Sequence, residues 1–323
     1  MKNIIKTLFF LCLSVTVANA SDDIGKCKQA ISYFENFDTI WDDKDRYDEQ
    51  DFLPLRSACK IAVEKSPKNT EYRIALATLQ FNIGEAEEGI KNLETAIQQG
   101  SDKAQVTLST LILLDAIQRK DKSTFKQHLD ILKNMAKSGN VDALRSAAVW
   151  WLIDEEELKL SMEKLIPSIE KGANKGDRRL QYLLGQMYSA ERKDVESMHW
   201  FVKSAGQGNA VSGRRLTVEL TNQDRLSEEV KAELNKIIIL AESGNPYAQN
   251  ILAEAYAVPD PKKSLIWRKK AAENGNINSQ LGLTLYYLSE DDLDKAKYWL
   301  NRATKLGSKK AKKFLLIIEE RTQ

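Results

Sequence analysis

Glycine, alanine and leucine recur along this chain in a fixed order, and the apolar residues between them follow a helical spacing. Seven glycines are separated by 39, 37, 32, 36, 31 and 32 residues. They are Gly100, Gly139, Gly176, Gly208, Gly244, Gly275 and Gly307. An alanine precedes each glycine by three or four residues, and the eighth residue after it is leucine in six of the seven cases. A period near 35 residues is typical of paired helical repeats.

The residues after each glycine predict the first helix of a pair. The fourth residue is mostly small, the eighth is mostly leucine, and the twelfth is large in every complete repeat. Residues four apart lie on one face of a helix, so these positions predict a buried stripe. The glycine predicts the end of the preceding helix, because it adopts a left-handed conformation without strain. We therefore predict an all-α fold, an α-solenoid of about seven to eight antiparallel helix pairs.

Three tryptophans stand eight residues before a glycine, at Trp200, Trp267 and Trp299, on the predicted second helices. An aromatic stripe at helical spacing is more often core than binding site, so we assign these residues to packing.

Four segments of this pattern resemble Sel-like repeats (SLR), a branch of the tetratricopeptide-repeat superfamily. They are residues 180–188 (LQYLLGQMY), 197–208 (SMHWFVKSAGQG), 248–256 (AQNILAEAY) and 267–275 (WRKKAAENG). The resemblance is strong over residues 173–314 and weaker over residues 59–172. Two features depart from it: the glycine after the leucine survives only as Gly185, and the repeat between Gly208 and Gly244 lacks its tyrosine and tryptophan.

The chain is predicted to have four segments. Residues 1–20 have the layout of a secretory signal, with a basic start, an apolar run and the small-residue end Ala18-Asn19-Ala20. That apolar run of ten residues is too short for a bilayer core, which needs roughly 20. We predict an N-terminal helical extension with an acidic loop at 21–58, the repeat solenoid at 59–307 and a capping helix at 308–323.

Export changes the expectations for charge and for cysteine. The signal removes two of the 48 basic residues, which leaves 46 basic and 46 acidic residues and argues against nucleic-acid binding. Cys27 and Cys59 then remain. In an oxidising compartment they predict a disulfide worth roughly 4 kcal/mol, whereas two buried thiols are the alternative.

No motif of catalysis or of metal binding is present in the sequence. His128 and His199 are the two histidines, and neither has the partner spacing of a metal site. Phosphate loops and nucleophile elbows are also missing. We therefore predict a protein that is not an enzyme, with no cofactor.

A protein partner is expected on the first helices, which line the concave surface in tetratricopeptide-like stacks. The third, sixth and tenth residues after the glycine lie off the buried stripe, and arginine and tyrosine there suit an interface. The candidate residues are Asp142, Arg145, Arg179, Tyr182, Gln186, Arg214, Tyr247, Asn250 and Glu254, together with Val149, Val211 and Val218. An ordinary solvated helix face is the alternative.

The resemblance implies an interaction scaffold of the bacterial cell envelope, most simply periplasmic, with the cell surface or secretion as alternatives, and without direct membrane insertion after cleavage. An alternative is a periplasmic immunity protein that neutralises a type VI secretion toxin, for example a phospholipase. A hydrolase of cell wall or glycan is the third alternative, and no motif supports it.

Cleavage after Ala20 is the first testable prediction. Protein recovered from a periplasmic extract should begin at Ser21 on N-terminal sequencing, because the small-residue triplet ends there. Recovery of the uncleaved chain from the cytoplasm would contradict export.

Overall fold

A computed structural model describes residues 20–36, 49–151 and 164–322 of the chain. Every regular element in these ranges is helical, which confirms the all-α prediction. The predicted signal peptide lies outside the described residues except for Ala20, and most of the predicted acidic loop, residues 37–48, also lies outside them. The chain divides into two compact units, residues 1–134 and 135–323.

The first unit contains a disulfide-linked helix pair followed by the first repeats. Its helices are α1 (Ala20–Asn36), α2 (Glu49–Lys65), α3 (Thr70–Asn82), α4 (Ala86–Gln98), α5 (Asp102–Arg119) and α6 (Lys122–Lys137). Residue 59 lies inside α2, so the predicted N-terminal extension and the first repeat share this helix. The last three residues of α6 belong to the second unit.

The second unit continues the same alternation of first and second helices. Its helices are α7 (Val141–Trp151), α8 (Ile166–Asn174), α9 (Arg178–Ala190), α10 (Asp194–Gly206), α11 (Ala210–Thr221), α12 (Glu228–Glu242), α13 (Pro246–Ala255), α14 (Pro261–Glu273), α15 (Ile277–Ser289), α16 (Leu293–Lys305) and α17 (Lys309–Thr322). The odd-numbered helices of this unit are the first helices, and the even-numbered ones are the second helices. A short 3-10 turn, Gln223–Arg225, precedes α12.

The disulfide between Cys27 and Cys59 joins α1 to α2, which confirms the predicted pairing. Both cysteines are fully buried in a cluster with Phe52, Leu55 and Leu79. The bond therefore lies within the apolar core at the start of the first unit.

Each second helix ends two residues before the predicted glycine, and all seven of these glycines have φ between 87° and 97°. The turn is a Schellman motif, as Gly244 shows: the N–H of Gly244 donates to Ala241 and the N–H of Asn245 donates to Leu240. This confirms that the glycines end helices by adopting the left-handed conformation.

The side chain of the residue after each glycine caps the first helix of the following pair. These residues are Ser101, Asn140, Asp177, Asn209, Asn245, Asn276 and Ser308, and each accepts a hydrogen bond from the backbone N–H three residues on. At Asn245 this bond measures 3.0 Å from Ala248 N to Oδ1. The residue after the glycine thus contributes its N–H to the end of one helix and its side chain to the start of the next.

The predicted stripe is buried at the fourth position of every repeat and at the eighth position of every repeat except the last, where Leu315 is half-buried. The fourth residues after the glycines are at most 1% exposed, and Leu184, Leu216 and Leu283 at the eighth position are fully buried. The twelfth position is only half-buried where the structure describes its side chain, which corrects the expectation of a fully buried stripe. The end of the first helix meets solvent there, and lysines lie over the rings of Tyr188 and Tyr256, 5.5 and 3.9 Å from their centroids.

Buried glutamines join successive pairs. The amide nitrogens of Gln181, Gln249 and Gln280 donate to the carbonyls of Ala173, Ala241 and Ala272, at 2.9 to 3.0 Å. Each glutamine lies on a first helix and each alanine lies near the end of the preceding second helix. These bonds satisfy carbonyls that a helix end leaves without partners.

The left-handed turn provides a stability test. Gly244→Ala should lower the free energy of unfolding by about 1–2 kcal/mol, because the residue keeps a positive φ although an added Cβ would meet nothing within 4 Å. Gly213→Ala, in the interior of α11, should be neutral or raise the free energy of unfolding by up to about 1 kcal/mol through helix propensity, since its Cβ would make an ordinary contact with Ile251. Urea unfolding followed by circular dichroism would measure both, and a neutral Gly244→Ala would contradict the turn.

Candidate partner-binding surface

The predicted binding residues lie on the first helices of the second unit, and they fall into three groups by exposure. Arg214, Tyr247, Glu254, Val149 and Val218 are exposed. The half-buried residues are Asp142, Arg145, Arg179, Gln186, Asn250 and Val211. Tyr182 is 9% exposed and belongs to the core. The predicted face is therefore partly a surface and partly a set of internal contacts.

Tyr182 corrects the expectation that the sixth position faces solvent. Its ring contacts the ring of Phe201 on α10, with centroids 6.3 Å apart. Phe201 also lies over Gly185, where an added Cβ would meet its ring at 2.6 Å. The space left by this glycine lets the two helices of the pair approach closely. The Tyr182 ring packs beside that contact.

The Tyr182 hydroxyl joins two other predicted residues. It accepts a hydrogen bond from the side-chain amide of Gln186. Burial raises the pKa of the Tyr182 phenol, and the Gln186 bond and the positive charge of Arg214 offset only part of that effect. The three residues form one polar cluster at the border between the core and the exposed face.

Arg145 serves the fold, because its guanidinium joins two repeats. It donates to Asp142 at 2.7 Å and to Asp177 at 2.5 Å. Asp177 is also the residue that caps α9, through its bonds to Arg179 N and Leu180 N. The sequence prediction omitted Asp177, although its place after Gly176 is the capping position that recurs in every repeat.

The remaining polar candidates also contact other residues, Asn250 in the next repeat and Glu254 on the second helix of its own pair. Asn250 accepts a hydrogen bond of 2.6 Å from the Ser279 hydroxyl, and Glu254 lies 3.3 Å from the guanidinium of Arg268. Tyr247 is 43% exposed, and its ring lies over Gly208, where an added Cβ would meet it at 2.7 Å. Tyr247 is thus a solvent-facing aromatic ring that packs on one side against the Gly208 turn of the preceding repeat.

The tenth position is the most exposed and the most apolar of the three. Val149, Val218 and Leu285 are 40%, 54% and 61% exposed, and we call these three residues the apolar row. Ile317 has the same position on α17 and is 38% exposed. The sequence prediction included the two valines and missed Leu285 and Ile317, although counting ten residues from Gly275 and Gly307 would have found them.

The tryptophans and histidines have other environments. Trp200, Trp267 and Trp299 are at most 9% exposed, which confirms their assignment to packing.

His128 Nδ1 lies 3.3 Å from the Ser109 hydroxyl, and burial lowers the pKa of His128. His199 Nδ1 lies 3.2 Å from Glu233. Within the described ranges, no three His, Cys, Asp or Glu side chains cluster in a way that could hold a metal ion.

The chain was compared with known proteins at three levels. No family model matches it, and no curated protein matches it. Among solved structures, it is similar to a Sel1 repeat protein from Oxalobacter formigenes, with 20% identity over 93% of this chain and 89% of that chain and a TM-score of 0.37. A protective antigen present in uropathogenic Escherichia coli strains and displaying an SLR fold has 18% identity over 92% and 71% of the two chains, with a TM-score of 0.31.

A third similar structure is the TPR domain of P58(IPK), with 15% identity over 94% of this chain and 98% of that chain and a TM-score of 0.24. The helix pairs of the chain itself establish the repeat fold.

The structural role of Arg145 can be measured. Arg145→Ala should lower the free energy of unfolding by about 1–2 kcal/mol, because the Asp177 carboxylate is only 12% exposed and would lose the guanidinium that pairs with it. Lys231→Ala is the matched control, since its ion pair with Glu228 is an exposed contact within one helix and should contribute less than about 0.5 kcal/mol. Equal effects of the two substitutions in chemical denaturation would reject the role of Arg145.

Proposed function

We propose that this chain is an exported interaction scaffold that holds a protein partner on the first-helix face of its second unit. The apolar row carries the proposal. Single exposed apolar side chains are common on protein surfaces, but these three share one register position on α7, α11 and α15. The same register position in stacked repeats lies along one line, so the row offers a partner an apolar side chain on every second first helix along that line.

The residues beside the row favour a protein partner. Arg214 and Tyr247 are exposed on the same face, and arginine and tyrosine are enriched where protein interfaces lose their water. At the tenth position, Gln186 and Glu254 alternate with the apolar residues. An apolar strip interrupted by polar side chains suits a partner segment that is itself amphipathic.

Two observations support an exported location. The first twenty residues have the layout of a signal sequence, and Cys27 is bonded to Cys59. Disulfides persist in oxidising compartments outside the cytosol. No helix in the described parts of the chain has both the length and the apolar character needed to cross a bilayer. The signal layout and the disulfide together favour the periplasm as the proposed location.

The partner can be tested with three immobilised proteins. The parent, the double variant Val218→Ser with Leu285→Ser, and the control Ile239→Ser are each exposed to envelope extract, and retained proteins are identified by mass spectrometry. Ile239 is a suitable control because it is 63% exposed on α12, a second helix. A partner of the row should be retained by the parent and the control and reduced about 10-fold or more by the double variant.

Circular dichroism of all three proteins should agree, since the substituted side chains are exposed. A partner retained equally by the double variant and the parent would place binding elsewhere on the chain. A retained protein that proves to be a lipase-like toxin would support the narrower hypothesis of an immunity protein.

A further inference from the structure

The second helix α14 exposes one face on which lysines surround a single large apolar side chain. Ile266 is 55% exposed, and four exposed lysines lie three or four residues from it along the chain. Residues at this spacing are neighbours on one face of a helix. After Pro261, the exposed residues of α14 are Lys262, Lys263, Ile266, Lys269, Lys270 and Glu273.

The second helix α16 repeats this arrangement around Tyr298. Counted back from their glycines, Tyr298 and Ile266 stand at the same position, and Tyr298 is 53% exposed. The Arg302 guanidinium donates to the Tyr298 hydroxyl at 3.3 Å and to the backbone carbonyl of Glu273 at 3.2 Å. Glu273 is the last residue of α14, so Arg302 joins the exposed faces of the two helices.

These two faces together carry an excess of positive charge. Two acids share them, Glu273 and Asp294, and a third acid, Asp292, forms an ion pair with Lys295. Seven basic residues outnumber these acids. We call the basic and apolar residues of the two faces the basic ridge, which consists of Lys262, Lys263, Ile266, Lys269 and Lys270 of α14 and of Lys295, Tyr298, Arg302 and Lys305 of α16.

The preceding second helix, α12, lacks this arrangement. Ala232, Asn235, Ile238 and Ile239 occupy the positions that Lys263, Ile266, Lys269 and Lys270 have in α14. The repeat fold therefore does not require lysine at these positions, and the basic ridge is a local feature of α14 and α16.

The composition of the basic ridge favours a lipid surface over a protein partner. Six of its seven basic residues are lysines, and lysine is depleted at protein interfaces, where arginine is enriched. At a bilayer, lysine stems lie along apolar surface while the ammonium groups stay among the lipid phosphates. Exposed isoleucine and tyrosine side chains suit the boundary between headgroups and acyl chains, where tyrosine is enriched.

We propose that the basic ridge attaches this protein to the surface of a bilayer that contains anionic phospholipids. The two helices lie on the bilayer and do not cross it, because their apolar side chains are isolated among charged ones. The apolar row lies on first helices and the basic ridge lies on second helices. The attachment is therefore independent of the proposed protein partner.

Sedimentation with lipid vesicles tests the attachment. The probe is the purified chain from Ser21 onward, as the predicted cleavage leaves it. It should sediment with vesicles of phosphatidylglycerol mixed with phosphatidylcholine and stay in solution with vesicles of phosphatidylcholine alone. High salt should release it, since exposed charges are screened.

Replacing two lysines of the ridge should weaken this binding. Lys262→Gln with Lys269→Gln should lower the affinity for the anionic vesicles about 5-fold for each lysine replaced. Lys263 and Lys270 are left in place because they also lie over the rings of Tyr256 and Trp267.

A matched control removes the same charge elsewhere. Lys122→Gln with Lys126→Gln changes two exposed lysines on α6 and should leave vesicle binding unchanged. Ile266→Ser should also weaken binding, whereas Ile239→Ser, at a 63% exposed position on α12, should not. Unchanged circular dichroism would show that each variant keeps its helices.

Three results would overturn the proposal. They are a parent that stays in solution with the anionic vesicles, a parent that binds phosphatidylcholine vesicles equally well, and a ridge double variant that binds as tightly as the control double variant. A basic ridge that serves a protein partner instead of a bilayer would appear as the first of these results.

Discussion

Each pair of helices from residue 100 onward ends in a turn that requires a left-handed residue, and the side chain that follows the turn caps the next helix. At Gly244 and Asn245 the two devices occupy adjacent residues, so the exit of one helix and the entry of the next are fixed together. A residue number counted from the glycine therefore corresponds to a fixed place in the fold. The turns inside pairs are less uniform, and Lys120, Arg192 and Asp291 adopt a positive φ there without glycine.

This constraint explains how much of the fold could be predicted. The glycine period and the leucine at the eighth position identified the helix pairs, and both signals depend on the same turn. The caps were missed although the residue after every glycine is Ser, Asn or Asp. The buried glutamines were missed because glutamine on a helix usually indicates a solvent-facing position. Gln249 becomes buried only because Ala241 offers it a free carbonyl, and Asn274 donates to its oxygen at 2.9 Å.

The binding face was predicted less completely than the helix pairs. Counting residues along one helix predicts the direction in which each side chain points, but it does not predict which residues of neighbouring helices that side chain contacts. The tenth position was correctly identified as exposed at Val149 and Val218. The sixth position failed at Tyr182, where the neighbouring Phe201 extends over Gly185. Arg145 points in the expected direction, but the cap of the next repeat, Asp177, supplies its partner. Those contacts arise between helices and have no period in the sequence.

The end of the second unit shows what happens when the repeat loses a polar partner. Gln207 and Asn274, each directly before a turn glycine, donate to the oxygens of the preceding buried glutamines, but the residue before Gly307 is Leu306. In the described structure no donor reaches the Gln280 oxygen, and Leu306 is 51% exposed. A buried acceptor without a partner is destabilising, and an exposed leucine adds apolar surface. The polar bond inside the last pair is therefore lost, whereas Gln280 still donates to Ala272 of the preceding pair, and α17 packs against Leu300 and Ala303 of α16 through Ala311.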